Sequence, residues 1–71
     1  MTLSSEIVVA LMQDCHAKIG MAKMNIKVLL LNPVGVGDHA NILETIQEQV
    51  DIISQNKDRL NVLQEEFRGE D

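Results

Sequence analysis

Between Ile7 and Leu31 the apolar residues fall into two stripes instead of one, and that doubling restricts the chain more than any other feature. One stripe is Val8, Met12, Cys15, Ile19, Ala22, Ile26 and Leu29, spaced 4-3-4-3-4-3. The other is Ile7, Ala10, Asp14, Ala17, Met21, Met24, Val28 and Leu31, spaced 3-4 throughout, with Asp14 its only charge. Alternating spacings of three and four keep residues on one side of an α-helix. The two stripes lie on nearly opposite sides, separated by one polar strip of Gln13, His16, Gly20, Lys23 and Lys27 and another of Asp14, Lys18 and Asn25. A surface helix of a globular protein carries one apolar stripe. A helix with two is sandwiched between neighbours. Leu11 and Leu30 are expected to widen the first stripe.

Both patterns stop at Asn32-Pro33-Val34-Gly35-Val36-Gly37-Asp38-His39. Pro33 lacks a backbone N–H and pushes Asn32 out of the helical region. Gly35 and Gly37 accept a positive φ at no steric cost. Asp38 is suited to cap a following helix, because its carboxylate can accept from the N–H groups of Ala40 and Asn41. Asn32, Pro33, Gly35, Gly37 and Asp38 therefore form the hinge of a helical hairpin. The fold class is all-α: an antiparallel two-helix hairpin, about residues 4–31 and 38–68, forming one domain over 1–71 and assembling into a coiled-coil-like bundle with other chains.

Ser4 or Ser5 is expected to cap the first helix, with Glu6 in its first turn at the positive end of the dipole. The second helix presents Ile42, Leu43, Ile46, Val50, Ile53, Leu60, Leu63 and Phe67 on one face and a solvated acidic face opposite. Gly69 suits the position after its end. Folding at the hinge places residues level when their numbers sum to about 69: Ile26 with Leu43, Ala22 with Ile46, Ile19 with Val50, Cys15 with Ile53, Val8 with Leu60. Each helix should be about 40–45 Å long. Gln49, Asn56 and Lys57 interrupt the second seam. They are read as lying at its edge, with Lys57 extended over Met12 or paired with Asp14. The alternative is a polar position within the seam that fixes register at some cost in stability.

Composition narrows the function classes. The 71 residues are 45% hydrophobic, but these are Ile, Leu, Val and Met with a single aromatic, Phe67. Aromatic platforms for stacking single-stranded nucleic acid are missing, and a net charge of −5 is the wrong sign for a phosphate backbone. Residues 1–31 carry two acids against three lysines, a balance of +1, while residues 38–71 carry nine acids against three bases, a balance of −6. That asymmetry favours pairing of the two halves. Asp14, Lys18, Lys23 and Lys27 interrupt the apolar run from 7 to 31, so no membrane span is expected, and the acidity disfavours a membrane-surface peptide. The N-terminus has no basic region of the kind that opens a signal peptide, so no leader is expected. The lone cysteine, Cys15, fits a reducing compartment and excludes an internal disulfide. The expected location is the cytoplasm, that of a host if the chain is viral, or a virion.

Candidate chemistry is sparse. Gly35-Val36-Gly37 has neither a preceding strand nor a following Lys-Ser/Thr, so it reads as a turn and not as a phosphate loop. Asp38 and His39 lack the convergent partners of an acid–base or metal site. Cys15 and His16 diverge by about 100° on a helix, which defeats a nucleophile–base pair. No catalytic residue, metal ligand or cofactor is expected, and the chain is read as no enzyme. The second stripe is different. Ile7, Ala10, Ala17, Met21, Met24, Val28 and Leu31 have no counterpart within a two-helix hairpin, and methionine is over-used at binding surfaces. These seven are the candidate protein interface.

The segment Leu31-Asn32-Pro33-Val34-Gly35-Val36-Gly37-Asp38-His39, followed by an acidic amphipathic helix, resembles short helical-hairpin proteins encoded by tailed bacteriophages, in which an Asn-Pro-x-Gly-x-Gly-acid-His turn joins two helices. The similarity covers roughly residues 28–67. It implies a small viral protein held in a larger assembly, and it implies no activity. The expected function is a non-enzymatic structural or assembly protein acting through helix–helix packing, such as a phage virion or accessory component, with a homo-oligomer or a helical partner protein completing the bundle. The alternative is a small regulatory protein that docks its first helix on a host enzyme.

Overall fold

A computed structural model describes residues 2–31 and 39–67. Helix α1 runs Leu3–Leu31 and helix α2 runs His39–Glu66, with no strand among the described residues. The two pack against each other along their length as a hairpin 51 Å long and 16 by 12 Å across. The hinge residues Asn32, Pro33, Gly35, Gly37 and Asp38 lie outside the described residues, as do Gly69 and the side chain of His39.

α1 begins one residue ahead of Ser4, because Thr2 does the capping. The Ser5 N–H donates to Thr2 Oγ1 at 3.3 Å, and the Thr2 N–H donates to Ser5 Oγ at 3.0 Å. This is a capping box in which Ser5 takes the place that Glu or Gln usually holds. The Glu6 N–H closes the first turn on the Thr2 carbonyl at 3.0 Å. Glu6 keeps its expected place at the positive end of the helix. α2 holds helical bonding to its last turn, where the Phe67 N–H still reaches the Leu63 carbonyl at 3.1 Å.

The first stripe of α1 faces α2 throughout. Cys15, Ile19 and Ala22 are buried, and Val8, Met12, Ile26 and Leu29 are partly buried. Cys15 and Ile19 meet Leu60 at the centre, with Met12, Ile53 and Leu63 packed around them. Leu11 and Leu30 do not widen this seam. They stand 48% and 65% exposed.

The register differs from the expected one. Cys15 clusters with Leu60, and Asn25 hydrogen-bonds Gln49, so level residues sum to 74 or 75 instead of 69. The reason is the phase of α2. Its inward residues are Ile42, Ile46, Gln49, Ile53, Asn56, Leu60 and Leu63, an unbroken 4-3-4-3-4-3 seam that matches α1. Leu43 and Val50, each one residue on from this seam and so rotated by about 100°, are exposed. Counting apolar layers had favoured them over Gln49 and Asn56, whereas keeping one heptad phase along both helices outweighs two apolar side chains.

Two polar residues therefore occupy seam positions. Asn56 is 1% exposed and is the one buried polar residue among those described. Its Nδ2 donates to the Ile52 carbonyl one turn back, at 2.8 Å, and its Oδ1 has no partner. Gln49 is half-buried and accepts from Asn25 Nδ2 at 3.1 Å. Only Lys57 lies outside the seam, exposed. It does not hold Asp14, whose carboxylate pairs with Lys18 at 2.9 Å on the same helix.

Candidate interaction surface

A helix that buries one stripe must leave the opposite one somewhere. In α1 the second stripe is left facing outward along the full length of the hairpin. Ile7 is 51% exposed, Met21 62%, Met24 57%, Val28 60% and Leu31 85%, and Ala10 and Ala17 are exposed with them. All seven candidate interface residues are thus exposed, and Met21 also borders the groove between α1 and α2.

The face is shaped. Ala17 and Gly20 form the floor of a shallow depression walled by Met21, Met24 and Asn25. Nothing within 4 Å would meet a Cβ built on Gly20. A mid-helix glycine costs roughly 0.5–1 kcal/mol relative to alanine, and no contact within the hairpin requires it. Sequence reasoning placed Gly20 on a polar strip and missed its part in this depression. Its position in the middle of an otherwise uninterrupted helix was the available signal.

Charge is nearly absent from the face. Asp14, the only ionisable residue of the stripe, is paired with Lys18 in an i, i+4 bridge, both side chains about half exposed. Such a pair contributes little to stability. It does offset the charge of Asp14 where the stripe would otherwise be broken.

Catalytic arrangements are not assembled. Cys15 is buried in the hairpin core while His16, its neighbour, points outward to solvent. No group of three or more His, Cys, Asp or Glu side chains that could hold a metal ion occurs among the described residues. No described helix is long and apolar enough to cross a membrane. A polar groove between α1 and α2 is lined by Lys18, Asn25, Gln49, Gln55, Asn56 and Arg59 among others. It is open and contains no acid–base pair.

No family model, no curated protein and no solved structure matches the chain.

Proposed function

We propose that this chain is a non-enzymatic assembly module that works by packing the outward face of α1 against another helical surface. The observation that carries this reading is one line of large apolar side chains, Ile7, Met21, Met24, Val28 and Leu31, each at least half exposed along a helix whose other side is already in use. Scattered exposed apolar residues are normal on soluble proteins, whereas a contiguous strip of this length marks an interaction surface. The two methionines suit such a surface because their unbranched side chains adapt to the partner. On the resemblance of its Asn-Pro-x-Gly-x-Gly-Asp-His turn to those of phage-encoded hairpins, the assembly is a virion or accessory component.

Met24→Asp tests the reading. Inside an interface the new carboxylate is desolvated without a partner, at a cost of several kcal/mol, whereas in water it costs almost nothing. The expected result is loss of assembly in light scattering, with helicity falling at low concentration because folding and association are linked. Unchanged mass and unchanged melting across a concentration series would remove the outward face of α1 from any interface.

A further inference from the structure

Resting on that assembly reading, we infer that the partner of α1 is α1 of a second copy, running antiparallel, with the two-fold axis passing beside Gly20.

Three independent features of the outward face lead there. The first is size. Along the stripe the small residues, Ala10 and Ala17, lie in the N-terminal half together with Ile7 and Asp14, and four large ones, Met21, Met24, Val28 and Leu31, lie in the C-terminal half. Antiparallel pairing about residue 19 makes level positions sum to 38. It seats Met21 on Ala17 of the second copy, Val28 on Ala10 and Met24 beside Asp14, with Ile7 on Leu31 at each end. A parallel pair would instead leave alanine against alanine and methionine against methionine, gap beside bulge.

The second feature is charge. On and beside the face, the N-terminal side of residue 19 carries Glu6 and the Asp14–Lys18 pair, and the C-terminal side carries Lys23 and Lys27. An antiparallel copy lays the acidic half against the basic half twice over and opposes the helix dipoles. A surface whose two halves complement each other is complementary to itself, the condition for a closed two-fold contact. Gly20, near the axis, adds no Cβ at the edge of the contact, and the depression it shares with Ala17 receives Met21 of the second copy.

The third is area. A compact monomer of 7.9 kDa exposes about 4,400 Å² by the usual scaling with mass. This hairpin exposes 5439 Å². The difference of roughly 1,000 Å², taken over the whole elongated chain, leaves room for the ~800 Å² that each partner gives to a standard interface. One such contact per copy would bring the chain to the exposure of an ordinary folded protein.

The test uses the full chain and two single substitutions on the face, Ala10→Cys and Val28→Cys, with a short bis-maleimide as cross-linker. Cys15 is buried, and the unsubstituted chain reports its background. The expected result is a solution mass twice that of the chain, no cross-linking of either variant alone, and cross-linked dimer when the two are mixed. In an antiparallel pair like positions 10 and 10 stand about 27 Å apart, whereas 10 and 28 are level. A monomer, a trimer or larger mass, or cross-linking of Ala10→Cys with itself would overturn the inference. Met24→Asp separates the two claims. If it disperses an assembly that cross-links in parallel or has a larger mass, the outward face is an interface and only the two-fold pairing falls. If it disperses nothing, both fall.

Discussion

Asn25 of α1 donates to Gln49 of α2 across the hairpin at 3.1 Å, joining two residues twenty-four apart in the chain. Asn25 is exposed and Gln49 only half-buried, so water competes and the bond contributes about 1 kcal/mol at most. Its value lies in direction. An apolar seam with a seven-residue repeat can slide by one heptad and still bury leucine and isoleucine, whereas the slid seam would separate Asn25 from Gln49 and move Asn56 away from Ala22, with which it lines one groove.

Replacing the buried polar residue should stabilise the hairpin and loosen its register. Asn56 Oδ1 is out of contact with water and has no partner, an arrangement that costs about 1–3 kcal/mol. Asn56→Leu is expected to raise the melting temperature by several degrees. It should also give more than one set of amide signals in solution spectra, as alternative alignments become populated. A lower melting temperature would mean that the bond to the Ile52 carbonyl outweighs the unpaired oxygen.

The observed register separates two leucines that sequence pattern treats alike. Leu60 is 8% exposed and Leu43 is 65% exposed. Leu60→Ala should therefore cost about 2–5 kcal/mol, and Leu43→Ala less than about 1 kcal/mol. Chemical denaturation of both variants at one protein concentration checks this. Equal losses would restore the alignment in which level residues sum to about 69.

Thr2→Ala removes the capping box and should destabilise α1 by about 1 kcal/mol. The loss belongs to the first turn, so amide exchange should quicken at Ser4, Ser5 and Glu6 and stay unchanged around Ile19. A uniform increase in exchange would show that the first turn and the core open together.

Gly20→Ala sets two effects against each other. By helix propensity alone alanine should stabilise α1 by about 0.8–1 kcal/mol, and nothing in the hairpin stands in its way. Beside the proposed two-fold axis the added methyl would keep the helices apart. The expected outcome is a weaker dimer, seen as a lower melting temperature at high concentration than the unsubstituted chain shows. A higher melting temperature at every concentration would put Gly20 away from the crossing.

The helices were legible because their signals are local. The two stripes of α1, its near end at Leu31 and the predominantly polar outer face of α2 can each be read from spacing. The pairing of the helices was not, because it depends on a choice of phase that spacing leaves open. Ile46, Ile53 and Leu60 belong to both candidate seams of α2. The alternatives differ in whether Leu43 and Val50, or Gln49 and Asn56, turn inward. Hydrophobicity prefers the first pair, and continuity of the heptad prefers the second. The outward stripe was legible by subtraction, since a hairpin has only one inside. Gly20 was not, because a glycine with no neighbour has nothing in its own chain to account for it.

The interior of the hairpin is five apolar residues and one asparagine among those described. So small an interior leaves a chain of this length only marginally stable by itself. Under the proposed pairing of copies, the folded fraction rises with the amount of chain present, as for any protein whose partner binds only the native form. Newly made copies would stay open to proteases until enough accumulate to pair, and surplus copies would be cleared when the pool falls. A thin hairpin that pairs in this way would measure its own abundance, without any ligand or modification to report it.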